Sequence, residues 1–318
     1  MGDLVTPLVN GHAETIGEFI SGSPEWHAAR ANGIGGSEIS AVVGLNPWES
    51  RFGLWHRKKD LLSAVPESAP MKWGTLLEPV IAAEYQANHL DRGQRASTGA
   101  TYRHHQRRWQ LANPDLLIWN GDELVDGVEI KAPGPDFSEK WGRDGSDLIP
   151  IYYRCQIAHY CDVMGLESMV LRALLGGNDA RSYRIRPSGD DREFLRAEGE
   201  QFWSDFLTDV APNLDGHLAT YSVLRELHPD IDRSIIVDAP AVLADRWWEV
   251  QANRDAADAE YMEVRTQIAD LIGMGWKARC GDQTLAYRVR PASGGDPYIK
   301  SAPRPGISHA SITEAAAA

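Results

Sequence analysis

The stretch Asn113-Pro114-Asp115-Leu116-Leu117-Ile118-Trp119-Asn120-Gly121-Asp122-Glu123-Leu124-Val125-Asp126-Gly127-Val128-Glu129-Ile130-Lys131 decides how this chain is read. Two runs rich in β-formers, Trp109 to Trp119 and Leu124 to Lys131, flank Asn120-Gly121-Asp122, a strong hairpin signal. Side chains alternate faces along a strand, so Glu129 and Lys131 point one way while Ile130 points into the core. The turn folds Asp115 back beside them, and two carboxylates and one ammonium converge at one end of the hairpin. Carboxylates on a rigid strand suit Mg²⁺, a hard ion that takes oxygen ligands and keeps several waters. A lysine alongside can orient an attacking water or stabilise charge on a phosphate. The same residues also fit an exposed hairpin with incidental charges, because short patterns of this kind recur by chance.

Working outward, residues 1–20 show no clean periodicity and read as a flexible arm. Ser23-Pro24-Glu25 opens a helix that ends near Asn32-Gly33, with Ser as cap and Pro at the first helical position. A second helix starts at Ser37-Glu38, and Phe52 to Leu62 reads as a third with Arg57, Lys58 and Lys59 exposed. Thr75 to Asn88 places Leu76, Leu77, Val80, Ile81 and Tyr85 on one helical face. Beyond the hairpin, a helix spans Ile151 to Met164, strands cover Ser168–Leu175 and Arg181–Arg186, and a closing helix covers Arg192–Asp209. This order predicts an α/β (α+β) core over residues 21–212. Residues 213–300 read as a helical extension with a short hairpin at Gly281-Asp282, and 301–318 as a disordered tail.

Composition narrows the classes. With 318 residues and 43% apolar content the chain can bury a large core, and 24% charged residues exclude wholesale disorder. No apolar run reaches the roughly 20 residues of a membrane span, and no signal peptide is evident, so a cytoplasmic protein without membrane partners is expected. Three cysteines are too few for a disulfide framework or a four-thiolate site. A net charge of -13 argues against coating nucleic acid but is compatible with a local basic groove or a carboxylate metal site. No Walker A loop is present, which excludes an ATP-driven motor of that type.

Several motifs then combine. Pro114-Asp115, thirteen residues, and Glu129-Ile130-Lys131 resemble the PD-(D/E)XK nuclease motif. Gly74-Thr75-Leu76-Leu77-Glu78 is similar to the G-x-x-x-E element of phage-type members. Gln156-Ile157-Ala158-His159-Tyr160 resembles the Q-x-x-x-Y motif of RecB-like nucleases, and on a helix Gln156 and Tyr160 share a face. Trp26-His27-Ala28-Ala29-Arg30, Gly33-Ile34-Gly35-Gly36-Ser37-Glu38-Ile39 and Gly44-Leu45-Asn46-Pro47 are similar to the opening of the YqaJ-like viral recombinase family, which includes lambda exonuclease.

The resemblance implies a restriction-endonuclease-like core, a central mixed sheet flanked by helices, with the C-terminal helical extension added. It implies a 5′-to-3′ exonuclease on double-stranded DNA ends in homologous recombination, with two Mg²⁺ ions for which Mn²⁺ can substitute. Carried over by position, Asp115, Glu129 and the Ile130 carbonyl hold metal, and Glu78 supports the second ion or its water. Lys131 positions the nucleophile, and Gln156 and Tyr160 brace the site or contact DNA. A 5′-phosphate pocket falls to Arg30, Ser37 and Asn113. Gly35-Gly36-Ser37 at a helix start also offers unpaired N–H groups to an anion; the same residues also read as a Ser37 helix cap with Arg30 a solvated charge. The implied partners are a single-strand annealing protein and further copies of the chain, with a ring trimer as one form.

Two positions depart from the family pattern: Leu116 stands where glycine is common, and Ala158 where a second glutamine is common. A restriction-like endonuclease and a non-catalytic DNA-end-binding module remain as alternatives. Arg103-His104-His105-Gln106-Arg107-Arg108-Trp109 reads either as a DNA contact with Trp109 stacking on a base, or as a solvated loop with Trp109 in the core. Cys155 and Cys161 read as buried small hydrophobes, and Trp247 and Trp248 as packing residues.

Overall fold

The computed structural model of the chain describes residues 8–20, 22–63, 68–134, 141–302 and 311–317. Its first elements are β1 (Ala13–Glu18), α1 (Pro24–Ala31), the two-residue β2 (Ile34–Gly35), α2 (Gly36–Val42), α3 (Arg51–Lys58) and α4 (Ala69–His89). Strands β3 (Gln94–Ser97), β4 (Ala100–His104), β5 (Gln110–Ala112), β6 (Leu116–Asn120) and β7 (Glu123–Lys131) follow. Then come α5 (Ile151–Met164), β8 (Met169–Leu175), β9 (Asp179–Ile185), α6 (Gly189–Leu207) and α7 (Leu218–Leu227). The last are α8 (Ala241–Ile272), β10 (Lys277–Cys280), β11 (Gln283–Val289), β12 (Tyr298–Ser301) and α9 (Ile312–Ala317). Two compact units result: one spans Asp230–Ile307, and the other contains everything before it together with α9.

In the larger unit the β6–β7 hairpin sits in a five-stranded sheet of order β3-β6-β7-β8-β9. Only β7 and β8 run parallel, Glu129 opposite Leu171, and a parallel pair needs a crossover; α5 supplies it. On one sheet face α5 packs Ile157, Tyr160 and Val163 against Leu117, Leu171 and Tyr183. On the other, Ile81 and Tyr85 of α4 meet Leu116, Val128 and Ile130. The fold is therefore α+β, a central mixed sheet flanked by helices. A second sheet of order β1-β4-β5-β2 pairs β2 parallel to β5. Its neighbours α2, α3 and α6 enclose Ile39, Leu54, Trp109 and Phe202. The smaller unit packs the β10-β11-β12 sheet on the C-terminal end of α8 through Ile272, Ala278, Ala286 and Ile299.

Several expectations need correction. Residues 13–18 of the presumed arm are a strand, registered Thr15 to Tyr102 on β4 and burying Ala13 completely. Residues 312–317 of the presumed tail are helical: Ile312 is fully buried, and its amide donates to Asp191 Oδ1 on α6 at 2.7 Å. The intervening tail residues 303–310 lie outside the described ones. On α4 the buried residues are Ile81, Ala82 and Tyr85, while Leu76 and Val80 face outward, because they lie about 100° round the helix from Leu77 and Ile81 respectively, which pack on the sheet. Lys58 is buried rather than exposed, held by Glu38 and the Gly33 carbonyl. Trp247 and Trp248 are both exposed. Trp109 lies in the core, so it is not free to stack on a base, while Arg103 pairs with Glu14 and Arg107 with Asp162.

Helices α5 and α6 close on Trp109 only because position 199 lacks a side chain: a Cβ there would fall against the edge of the indole ring. Gly199→Ala gains up to about 1 kcal/mol in helix propensity but overpacks a fixed core ring at roughly 1–3 kcal/mol. A net loss of stability is expected, read as a lower urea midpoint with unchanged slope.

Candidate active site

Strand β7 ends at the C-terminal edge of the sheet and presents Glu129 and Lys131 on the face covered by α5. Glu129 is buried; its Oε1 accepts from Lys131 Nζ at 2.6 Å and from Gln156 Nε2 at 2.6 Å. Glu129 Oε2 is buried with no hydrogen-bond partner. Beside it Asp115, just ahead of β6, accepts the Ile130 amide on Oδ2 at 2.6 Å. The register that pairs Leu116 with Val128 carries Pro114 toward Ile130, and the Asp115 carboxylate supplies the acceptor at the point where the ladder stops.

Burial pushes the Asp115 carboxyl well above the usual carboxylate range, and the nearby charges of Glu129 and Glu78 push it further, against the pull of Lys131. Glu78, solvent-exposed but on the same side of α4 as Ile81 and Ala82, is raised by burial first and then by Glu129, against Lys131. Burial works against the Lys131 charge, but Glu129 and Asp115 overcome it and hold the ammonium proton more tightly than in free lysine. The pocket therefore carries one cation against three carboxylates. Such crowding is relieved by a divalent ion, and the orphaned Glu129 oxygen offers a lone pair where one would sit. Among the described residues no three His, Cys, Asp or Glu side chains form a ready-made ligand cluster. Two carboxylates with waters are nevertheless the sort of set Mg²⁺ takes.

Gln156 and Tyr160 brace this centre from α5. Gln156 Nε2 also contacts Tyr160 Oη at 3.2 Å, which fixes the amide orientation and thereby the Glu129 rotamer. The Tyr160 phenol, pushed up by burial and by Glu129, stays protonated. Gly36 lies directly on the Tyr160 ring; a Cβ at that position would overlap it. The opening motif thus abuts the centre through one aromatic ring.

Arg30 Nη2 donates to Ser37 Oγ at 3.0 Å, and its guanidinium lies 4.5 Å over the Trp26 ring. Asn113 donates to Thr101 Oγ1, leaving its own Oδ1 buried without a partner. Because β2 runs parallel to β5 with Gly35 opposite Leu111, Ser37 and Asn113 leave the same end of that sheet. Both family departures are core positions, Leu116 and Ala158 each being fully buried.

Two contributors escaped the sequence reading. Glu38 binds the Gly35 amide at 2.7 Å, Lys58 Nζ at 3.0 Å and Arg30 at 3.4 Å, so it organises the Arg30 side of the site. The signal was present as a capping-box spacing with glycine at the cap. This also means that the Gly35 amide is already used. Tyr153, one turn before Gln156, places its ring 5.3 Å from Lys131 Nζ.

Residues 25–167 match the YqaJ-like viral recombinase domain. The chain is 29% identical over 254 residues to the uncharacterized protein YqaJ of Bacillus subtilis, covering 78% of this chain and 73% of that one. A protein of African swine fever virus is 36% identical over 72 residues, 21% of each chain. Among solved structures, an alkaline exonuclease from Laribacter hongkongensis aligns at 19% identity with a TM-score of 0.48, over 59% of this chain and 94% of that one.

Glu38 provides a pH test. Burial alone would raise its carboxyl, but Lys58, Arg30 and the Gly35 amide bring it down to about 2 from an ordinary 4.5. A depressed carboxylate stabilises the fold above its unfolded value and loses that contribution as pH falls toward 2. Glu38→Gln is expected to cost on the order of 3 kcal/mol at pH 7, shrinking steadily below pH 4.5, in urea unfolding compared across that range.

Proposed function

We infer, for a chain that carries a YqaJ-like viral recombinase domain over residues 25–167, a metal-dependent nuclease that degrades one strand of linear duplex DNA from 5′-phosphorylated ends. The observation that carries this reading is the Glu129 carboxylate, with one oxygen saturated by Lys131 and Gln156 and the other buried and unpartnered beside Asp115. Mg²⁺, with Mn²⁺ as a substitute and two ions as the full complement, would be held by Asp115, Glu129 and the Ile130 carbonyl, with Glu78 supporting the second. In an extended strand the N–H and C=O of one residue face the same edge, so the Ile130 carbonyl faces the edge whose amide Asp115 takes. When bound, the metal supplies charge stabilisation for the phosphate and a more acidic water.

The protein groups divide the remaining work. Lys131 stays protonated and serves as a fixed positive charge beside the scissile phosphate, not as a base. Gln156 and Tyr160 keep Glu129 in one rotamer. Arg30 and Ser37, with Asn113 behind them, receive the terminal 5′-phosphate, and the Trp26 ring keeps the guanidinium in place. Water adds to phosphorus, the P–O3′ bond breaks and the proton ends on O3′. The nucleotide leaves with a 3′-hydroxyl and the shortened strand retains a 5′-phosphate. Each cut thus regenerates an end that Arg30 can hold. A single-strand annealing protein would take the exposed strand, and an oligomer would gather positive charge that an acidic chain otherwise lacks.

Digestion of linear and covalently closed duplex with Mg²⁺ tests the reading. Loss of the linear substrate alone is expected; nicking of the circle would transfer the site to an endonuclease. Asp115→Ala and Glu129→Ala should abolish cleavage with circular dichroism unchanged, and Gln156→Ala should raise the Mg²⁺ requirement roughly 10–100-fold. Normal cleavage by either carboxylate variant would remove the site.

Arg30→Ala should reduce the preference for 5′-phosphate over 5′-hydroxyl ends by roughly 10–100-fold, the worth of a charge-assisted bond. An unchanged preference in competition digests would displace the phosphate pocket.

A further inference from the structure

Helix α8 runs for 32 residues and buries only Ile272. One set of its apolar residues follows a rule, with Val242, Trp248 and Met262 exposed beside it. Leu243, Trp247, Val250, Ala257, Tyr261, Val264, Ile268 and Leu271, with Arg254 as the one polar member, advance in alternating steps of four and three. That 3.5-residue repeat is the period of a left-handed two-helix supercoil. Most of the seam is open: Trp247 is 61% exposed, Val250 55%, Tyr261 52% and Leu271 76%. The β10–β12 sheet covers a neighbouring stripe through Ile268, Ala269 and Ile272, with Arg265 donating to the Ile299 carbonyl, and meets the seam only at Ile268 and Tyr261.

We propose that this seam pairs with the α8 seam of a second copy of the chain, as an antiparallel coiled coil. Size and charge select the direction. A parallel pair would set Arg254 against Arg254 in mid-seam. The antiparallel register that places Leu243 against the partner's Ile268 sets Arg254 against Ala257, Trp247 against Val264 and Val250 against Tyr261. Trp247, Tyr261 and Arg254 then each meet a smaller residue, Leu243 meets one of its own size, and Arg254 comes within a helical turn of the partner's Asp258. The flanking pairs are Arg246 with Gln267, Asn253 with Glu260 and Gln251 with Asp258, none of them like-charged. The seam side chains of two copies bring together on the order of 1,000 Å² of now-exposed surface, near the lower bound for a specific interface. The register is self-complementary, so a second copy is a sufficient partner.

The test uses the full chain. Light-scattering mass of the parent should be twice that of a Val250→Glu, Val264→Glu variant at matched concentration, with helix content and nuclease activity retained. In a Cys280→Ser background, a mixture of Arg254→Cys chains and Ala257→Cys chains should form an interchain disulfide, and neither alone should. Equal masses for parent and variant would overturn the pairing. Disulfide formation by Arg254→Cys alone would overturn the antiparallel register.

Discussion

Helix α5 is enclosed on nearly every side, and the polar side chains it takes inside each need a partner there. Gln156 meets Glu129, His159 meets the Leu111 carbonyl at 3.1 Å, and Asp162 meets Arg107, Gln110 and Arg196. Three polar side chains at three-residue spacing thus join three parts of the fold. One end reaches the carboxylate centre and the other fixes the β4–β5 loop. Moving α5 would break all three of these attachments at once.

That enclosure explains the electrostatics. Away from water, Lys131 and the carboxylates around it interact strongly, so both Asp115 and Lys131 are pushed up: burial and the neighbouring carboxylates raise Asp115, and the same carboxylates raise Lys131 against burial. On the other flank, Glu38 is satisfied by two cations and an amide and settles low. One flank of the site is balanced and the other is left with surplus negative charge. A chain of net charge -13 thus places a concentration of it where a cation is useful.

Much of the fold was legible because its signals are local. The Asn120-Gly121 turn, the Ser23 cap with Pro24, and the helix running from Ile151 to Gly165 are each set by residues adjacent in sequence. The spacing of Asp115, Glu129 and Lys131 was legible for the same reason. What escaped depends on distant partners. Strand β1 has few periodic residues and owes its conformation to β4. Lys58 looks like any surface lysine until Glu38 and the Gly33 carbonyl surround it. Leu76 and Val80 widen an apolar stripe, yet the sheet covers only the side that carries Leu77, Ile81 and Tyr85. Trp247 and Trp248 have a helix, yet among the described residues both rings stay largely exposed.

The docking of α9 has a consequence for the order of events in synthesis. Ile312, Thr313 and the Thr313 hydroxyl all turn to Asp191 Oδ1, so a buried carboxylate in the larger unit finds its donors only after residues 230–307 have been made. The smaller unit is an insertion, tethered to the same body at both ends. On the ribosome, where domains form as they emerge, the larger unit waits with Asp191 unanswered while a complete second unit appears. Its closure belongs to α9, and the inserted unit is enclosed by that act in the covalent path of the first.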